Sequence, residues 1–155
     1  MKTRISWKEK LKKEARIVDI PPRMTKRFGT GKMLIPSPLD IDVLIRKVKK
    51  GKLVTQGQIR RKLAKKYGVK VTCPLTTGIF LRIIAEAAEE DLRKSERQVT
   101  PYWRVIKDDG SLNPKFPGGV ELQAKRLREE GHIILEGRWK KPPRVKDFEK
   151  YLQEL

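Results

Sequence analysis

Cys73 and His132 are the residues of this sequence whose chemistry most directly suits nucleophilic attack, proton transfer or metal binding. Each is the only residue of its type, so together they cannot supply the four ligands of a structural zinc site or form a disulfide. Cys73 precedes Pro74 at a predicted helix start, where the helix dipole can lower a thiol pKa. We nevertheless expect a small buried apolar residue there. His132 is expected to be a structural hydrogen-bond donor rather than a base, and no metal or cofactor is expected.

The charge of the chain points to a polyanionic partner. The 155 residues include 38 Lys+Arg against 19 Asp+Glu, for a net charge of +19, and nucleic acid is the commonest partner of such a surface. A hydrophobic content of 37% is too high for a disordered polycation. No apolar run approaches the roughly 18 residues of a membrane span, and the charged N-terminus lacks the apolar h-region of a signal peptide. We therefore expect a cytoplasmic, nucleoid-associated protein without membrane attachment.

Local start and stop signals predict three helices in the first half of the chain. Ser37-Pro38 provides an N-cap and a first helical residue, and Gly51 ends that helix. Thr55-Gln56-Gly57-Gln58 matches the capping box of a second helix, which Gly68 ends. A third helix of about 18 residues follows Cys73-Pro74. The second and third helices have the outline of a helix-turn-helix. The predicted buried positions are Ile41, Leu44, Ile45 and Val48; Ile59, Leu63 and Tyr67; and Leu75, Ile79, Ile83, Ile84, Ala87 and Ala88.

The remaining elements are predicted to be short. Trp103–Ile106 is predicted as a strand that pairs with Ile133–Leu135 in a small wing, with a helix over Val120–Glu130 between them. A short helix is predicted over Trp7–Ile17, and a final amphipathic helix is predicted to present Val145, Phe148, Leu152 and Leu155. The expected fold is mainly α with a small β wing, in the α+β class. Residues 1–34 are predicted to form a basic arm, residues 35–137 the helix-turn-helix domain with its wing, and residues 138–155 a basic extension with a short helix.

Several segments, in this order, resemble the DNA-binding domain of O6-alkylguanine-DNA alkyltransferases and the catalytically silent alkyltransferase-like proteins. They are Gly51-Lys52-Leu53-Val54-Thr55-Gln56-Gly57-Gln58-Ile59, Thr100-Pro101-Tyr102-Trp103-Arg104-Val105-Ile106, Asp109-Gly110-Ser111-Leu112, Pro117-Gly118-Gly119, and Lys125 with Leu127–Gly131. The resemblance covers about Ile35 to Leu135. It implies a winged helix-turn-helix that binds the DNA minor groove, flips a damaged guanine out of the stack and holds it in a pocket.

The chain departs from the family at the reactive position. Tyr102 stands where the family has its nucleophilic Cys, and Trp103 stands where it has the relay His, although Glu130 keeps the place of the relay Glu. A phenol with a pKa near 10 and no adjacent imidazole is a poor nucleophile at pH 7. We therefore expect no alkyl transfer. Counting along the motifs places Gln56 where the family has its phosphate-rotating Tyr. It places Gly78 near the position of the family's intercalating Arg. Arg82, one helical turn later, is a candidate to replace that Arg.

The expected site combines phosphate contacts with a base pocket. Helix starts and basic helix faces commonly contact phosphates. The expected DNA-binding residues are Thr55, Gln56, Gln58, Arg60, Arg61, Thr76, Thr77 and Arg82. The expected base pocket consists of Tyr102, Trp103, Arg104, Gly118 and Gly119. The expected partner is double-stranded DNA carrying a damaged base, with downstream repair proteins as further partners of a monomer.

Three other functions stay open at this point. A DNA glycosylase on the same scaffold would need a carboxylate beside the pocket, and Asp108, Asp109 and Glu130 are the candidates. A non-specific architectural binder of DNA or RNA would bind damaged and undamaged duplex equally. Attraction to anionic lipid is the third alternative and the least favoured, because no membrane-type amphipathic helix dominates the sequence.

Overall fold

The computed structural model describes residues 6–155 and contains five α-helices. These are α1 (Pro22–Phe28), α2 (Pro38–Arg46), α3 (Gln56–Tyr67), α4 (Pro74–Arg93) and α5 (Gly119–Glu129). The main core lies where α2, α3 and α4 meet, and it includes Leu44, Leu63, Leu81 and Ile84. No helix in residues 6–155 is long and apolar enough to cross a lipid bilayer.

The start of α2 and both ends of α3 form as predicted, whereas α2 ends at Arg46 and the predicted end at Gly51 is wrong. The Ser37 side chain accepts a hydrogen bond from the Leu39 amide at the start of α2. At α3 both halves of the capping box form, since Thr55 Oγ1 accepts from the Gln58 amide and Gln58 Oε1 accepts from the Thr55 amide. Gly68 ends α3 in the left-handed conformation with φ +66°. These helix boundaries depend on short-range hydrogen bonds and are therefore visible in the sequence.

Helix α4 buries only part of the predicted stripe, namely Ile84, Ala87 and Ala88. Leu75 and Ile79 were expected in the core but are 60% and 51% exposed. The buried positions instead include Phe80, Leu81 and Ala85. The prediction was wrong for these two residues, because the apolar run Ile79-Phe80-Leu81 offers more than one helix face for burial. As a result, the N-terminal half of α4 presents apolar side chains to solvent.

The N-terminal segment adds two strands to a three-stranded sheet. Strands β1 (Arg16–Asp19) and β2 (Lys32–Ile35) are antiparallel, and β2 pairs in parallel with β4 (Val71–Thr72), which leads into α4. The predicted helix over Trp7–Ile17 is wrong: a 3-10 turn spans only Glu9–Leu11, and Arg16 and Ile17 are recruited by β2. The predicted arm therefore folds against the helix-turn-helix over the part that the structure describes, whereas the division into three segments stays a prediction.

The wing forms, but from different strands than expected. β5 (Val105–Ile106) pairs in parallel with β3 (Val54–Thr55), and β6 (Ile134–Leu135) pairs antiparallel with β7 (Arg144–Val145). The predicted pairing of Ile133–Leu135 with Val105-Ile106 is therefore wrong. Val54 and Thr55 are both buried and pair with β5. The sequence contains no sign of this pairing, because Thr55 could be interpreted only as the N-cap of α3. The wing is the β6–β7 hairpin.

The C-terminal segment is not the predicted helix. Val145 lies in β7, and a 3-10 turn spans Phe148–Tyr151. Asp147 lies between them with φ +53°, a conformation that interrupts helical backbone. The last residues then run beside the α2–β3 connection, where the Leu53 amide donates to the Tyr151 carbonyl at 2.9 Å and the Gln153 amide to the Leu53 carbonyl at 2.9 Å.

Candidate nucleic-acid interface

The segment that resembles the reactive motif lies inside the protein. Tyr102 begins a 3-10 turn over Tyr102–Arg104 and is 0% exposed. Its hydroxyl donates to Glu89 Oε1 at 2.7 Å, and its ring makes edge contacts with Trp103 and Phe116. Burial, followed by the hydrogen bond to Glu89, raises the pKa of Tyr102 far above its ordinary value of 10. The phenol is therefore protonated at neutral pH and has no access to a substrate.

Trp103 and Arg104 are held by one carboxylate. Trp103 Nε1 donates to Glu130 Oε2 at 3.0 Å, and Arg104 forms a bidentate pair with the same carboxylate at 2.9 and 2.8 Å. Arg104 Nη1 also donates to the Val48 carbonyl at 2.6 Å. Burial alone would raise the pKa of Glu130, but the hydrogen bonds from Arg104, Trp103 and the Gly51 amide outweigh it and lower the pKa. Glu130 therefore acts as an ionised structural anchor, where the family has a relay.

Gly118 and Gly119 form the turn that begins α5. Both have positive φ, +72° and +65°, and a Cβ at Gly118 would lie 2.6 Å from the Cβ of Leu122. The two glycines are therefore explained by the turn itself. None of the five predicted pocket residues lines the cleft described below.

Most of the predicted phosphate contacts at helix starts are used within the fold. Thr55 and Gln58 cap each other, and Gln58 Nε2 also donates to the Gln153 carbonyl. Thr77 is 0% exposed and its hydroxyl donates to the Cys73 carbonyl, while Thr76 Oγ1 donates to the Cys73 sulfur. The four side chains therefore stabilise the ends of α3 and α4, and a role in phosphate binding stays a prediction.

Asp108 occupies the N-terminus of α3. The Gly57 amide donates to Asp108 Oδ1 at 2.8 Å, and Arg60 Nη2 lies 3.5 Å from Oδ2. A carboxylate at the positive end of the helix dipole is stabilising, and it would repel a phosphate at the same place. Arg61 remains exposed, on the side of α3 that faces Glu154 and Leu155.

An open cleft of about 610 Å³ lies between α3, α4 and the segment after β5. Gln56 contributes from the start of α3, and Gly78, Ile79 and Arg82 contribute from α4. The segment after β5 contributes Lys107, Asn113 and Lys115. Its volume lies within the range of ligand-binding clefts. The cleft is thus lined by the three residues that the motif comparison aligned with DNA-contacting positions of the family, namely Gln56, Gly78 and Arg82.

The N-terminal segment completes one wall of the cleft. Trp7 and Lys10 line it, with Lys10 Nζ 4.1 Å from the centroid of the Trp7 ring. Leu11 packs on the main core, and Lys8 pairs with Asp91 of α4 at 3.4 Å. No local motif connects the lining residues that come from distant parts of the chain, and the sequence therefore did not predict Trp7, Lys10, Lys107, Asn113 and Lys115.

The electrostatics of the cleft favour an anion. Four of its lining residues are cations, namely Lys10, Arg82, Lys107 and Lys115, and none of the described lining residues is a carboxylate. An apolar side chain, Ile79, lies among them. Positive charge beside an exposed aliphatic and an aromatic side chain suits a ligand that carries both phosphates and flat bases.

The carboxylates considered for a glycosylase are engaged elsewhere. Glu130 is paired with Arg104, and Asp108 caps α3. Asp109 accepts from the Ser111 amide at 3.0 Å, and hydrogen bonds from Ser111 lower its pKa. None of the three lines the cleft. The geometry therefore gives no support to a carboxylate-activated water at the cleft.

Cys73 and His132 are both buried. Cys73 packs with Ile20 and Met33 beside the three-stranded sheet, as expected for an apolar role. His132 packs edge-on against Tyr151 with a centroid distance of 4.9 Å. Its expected role as a hydrogen-bond donor is wrong, because neither ring nitrogen has a hydrogen-bond partner among residues 6–155. Burial lowers the pKa of His132, and the nearby Glu130 only partly opposes this effect.

Comparison with known proteins identifies the fold through structure alone. The sequence matches no protein-family model and no curated protein. A crystal structure of S. pombe Atl1 in complex with damaged DNA containing O6-carboxymethylguanine matches with a TM-score of 0.54 and 19% identity. A structure of S. pombe ATL in complex with DNA matches with a TM-score of 0.52 and 20% identity. Each match covers 76% of this chain and 94% of the neighbour. The predicted α+β fold is confirmed, and it is similar to the fold of these alkyltransferase-like structures.

Proposed function

We propose that this chain is a non-enzymatic DNA-binding protein that recognises damaged or modified bases. The observation that carries the proposal is the cationic cleft, which lies at the positions that the family uses for DNA in a fold similar to that of S. pombe Atl1. The similar structures contain DNA, in one case with O6-carboxymethylguanine. The net charge of +19 supports a polyanionic partner independently of the fold.

In this proposal the cleft receives the extruded base and α4 supports the distorted duplex. Arg82, Lys107 and Lys115 hold phosphates, and Gln56 lies where the family rotates a phosphate. Ile79 takes the place of an inserted wedge, because its side chain is exposed on α4 one position after Gly78. Apolar wedges of this kind offset part of the cost of unstacking a base pair. Trp7 offers an aromatic surface on the opposite wall.

Recognition without alkyl transfer follows from the chemistry of the buried groups. The chain has one thiol, that of Cys73, and it is buried away from the cleft. The Tyr102 hydroxyl is buried and bonded to Glu89. Neither can attack an alkyl group on a base in the cleft. A cytoplasmic location and downstream repair proteins as partners stay predictions.

The test is a fluorescence-anisotropy titration of matched duplexes, one with O6-methylguanine and one with guanine. We expect the modified duplex to bind at least tenfold tighter, about 1.4 kcal/mol. We also expect affinity for both duplexes to fall steeply with salt, because phosphate contacts release counterions. Equal affinity at every salt concentration would contradict recognition of this lesion and favour a general architectural binder.

A further inference from the structure

The tip of the wing carries a tryptophan that the fold does not use. The hairpin β6–β7 ends in a turn over residues 138–141, closed by a hydrogen bond from the Lys141 amide to the Arg138 carbonyl at 3.0 Å. Trp139, the second residue of this turn, is 103% exposed. A large aromatic side chain in full contact with water gains nothing from burial in this fold. It is therefore available to a binding partner.

The backbone of the turn holds this side chain outward at an energetic cost. Trp139 has φ +59°, and a positive φ at the second position of a turn normally selects glycine. Gly137, two residues before Trp139, cannot be replaced by a larger residue, since a Cβ there would lie 2.1 Å from the Lys141 carbonyl oxygen. The sequence thus places glycine at one position of this tight loop and a bulky aromatic residue at the strained one.

The base of the hairpin is fixed to the rest of the domain. The Val145 amide donates to the Gly110 carbonyl at 3.0 Å, and the Leu112 amide donates to the Pro143 carbonyl at 2.9 Å. Gly110 and Leu112 belong to the same segment that carries Lys107 and Asn113 into the cleft. The hairpin is therefore anchored to the loop that forms one wall of the cleft.

The charges beside Trp139 indicate the class of partner. Arg138, Lys140 and Lys141 are exposed in the same turn, and Arg144 is exposed in β7. Two acidic residues, Glu136 and Asp109, lie near the base of the hairpin. An aromatic ring surrounded by cations suits a partner with alternating flat rings and negative charges, which is the pattern of an unpaired nucleic-acid strand.

We propose that the wing tip, residues 137–141, is a second nucleic-acid contact in which Trp139 stacks on an unpaired base and the adjacent cations hold phosphates. This inference rests on the proposed function, since it assumes that the chain binds DNA, but it concerns a surface separate from the cleft. It predicts a preference for duplexes that carry an unpaired segment over fully paired duplexes of the same length.

The experiment compares the full chain with Trp139→Ala and Trp139→Phe on two probes, a blunt duplex and the same duplex with a short single-stranded tail. We expect Trp139→Ala to bind the tailed duplex about fivefold more weakly or worse, at the lower end of what an aromatic–base stack contributes. Binding of the blunt duplex should change by less than twofold. Trp139→Phe should recover most of the loss, because it keeps an aromatic face. Circular dichroism serves as the folding control, and the exposed position predicts an unchanged spectrum.

The other possible results distinguish a failure of the wing contact from a failure of DNA binding as a whole. Unchanged affinity of Trp139→Ala for the tailed duplex would overturn the wing contact while leaving the cleft proposal intact. No binding of either probe by the unaltered chain would overturn DNA binding itself, and the wing contact with it. Sedimentation with phosphatidylserine vesicles that depends on Trp139, combined with unchanged binding of the tailed duplex, would overturn the nucleic-acid assignment of the tip in favour of a membrane surface.

Discussion

Two neighbouring regions of this protein, separated only by strand β5, have opposite characters. Before β5, Tyr102, Trp103 and Arg104 have their polar atoms bonded inside the fold, to Glu89 and Glu130. After β5, Lys107 and Lys115 face an open cleft. The segment that resembles the alkyltransferase reactive motif thus has its polar groups bonded inside the fold, whereas the cations after β5 remain open to a ligand. The difference shows that residues at the positions of a reactive motif can serve packing alone.

The largest expected loss of stability comes from removing the buried ion pair between Arg104 and Glu130. Arg104 and Glu130 have side-chain exposures of 13% and 7%, and Glu130→Ala would leave the guanidinium without its carboxylate. Loss of one partner of a buried pair typically costs about 3–5 kcal/mol. We expect that loss in urea-unfolding experiments at pH 7. The control, Glu129→Ala at an exposed position, should change stability by less than about 0.5 kcal/mol. Equal effects of the two variants would show that the network does not hold the motif in place.

The role of the open cleft is tested by removing two of its positive charges, those of Lys107 and Lys115. The double variant Lys107→Ala/Lys115→Ala should weaken DNA binding and reduce the slope of log affinity against log salt by about 1.8, or about 0.9 for each lost phosphate contact. Stability should remain close to that of the unaltered chain. Lys125→Ala/Arg128→Ala removes two exposed cations of α5 that do not line the cleft, and it should leave the slope nearly unchanged. Equal slopes for the two double variants would remove the cleft from the proposal.

A smaller loss of stability is expected when the Tyr102 hydroxyl is removed, and this loss tests whether Tyr102 is a structural residue. Tyr102→Phe removes only the hydroxyl that bonds to Glu89, while Arg126 still pairs with that carboxylate at 2.6 Å. Hydrogen bonds to charged groups contribute about 1.5–3 kcal/mol, and the remaining Arg126 contact points to the lower end of that range. Thermal or urea unfolding measures this loss, with Tyr151→Phe as the partly exposed control. Weaker DNA binding without loss of stability would instead place the hydroxyl in a functional site.

The smallest expected effect is a pH dependence of stability from His132. Burial lowers its pKa in the folded protein, whereas in the unfolded chain it titrates near 6.5. Below about pH 6.5 the unfolded state therefore binds a proton that the folded state does not, and stability falls as the pH decreases. His132→Phe, which retains an aromatic ring beside Tyr151, should lose this part of the dependence between pH 7.5 and 5.5. Parallel curves for the two proteins would exclude His132 as the source.

The sequence predicted the helices better than the sheets. Ser37, the Thr55–Gln58 capping box and Gly68 act through contacts a few residues apart, so their effects can be derived locally. Strands β3 and β5 are two residues each and pair across a long stretch of chain, which leaves no periodic pattern to detect. The wing was expected, but its second strand, Arg144–Val145, was interpreted as part of a helix because Val145, Phe148 and Leu152 have helical spacing.

Part of the cleft could be predicted because some of its residues lie on helices that local signals define, whereas the others are joined only by tertiary contacts. Gln56 and Arg82 lie on helices whose limits were clear, and both line the cleft. Trp7 and Lys10 come from the N-terminal segment and Lys107 from the segment after β5, so only tertiary packing joins them. Tyr102 was expected in a pocket because the family places its chemistry there. Its burial depends on Glu89 and Phe116, whose proximity no local pattern indicates.

The C-terminal segment has a consequence for how the protein is made. Leu53 exchanges hydrogen bonds with Tyr151 and Gln153, and the Gln153 side chain contacts the backbone of Lys47 and Lys49. These partners are synthesised long after Leu53 has left the ribosome. The connection between α2 and β3 is therefore completed only after Tyr151 and Gln153 have been synthesised, and contacts of such high sequence separation slow folding. A chain truncated before Tyr151 would still contain α3 and α4, but the segment that leads into α3 would lack these hydrogen bonds.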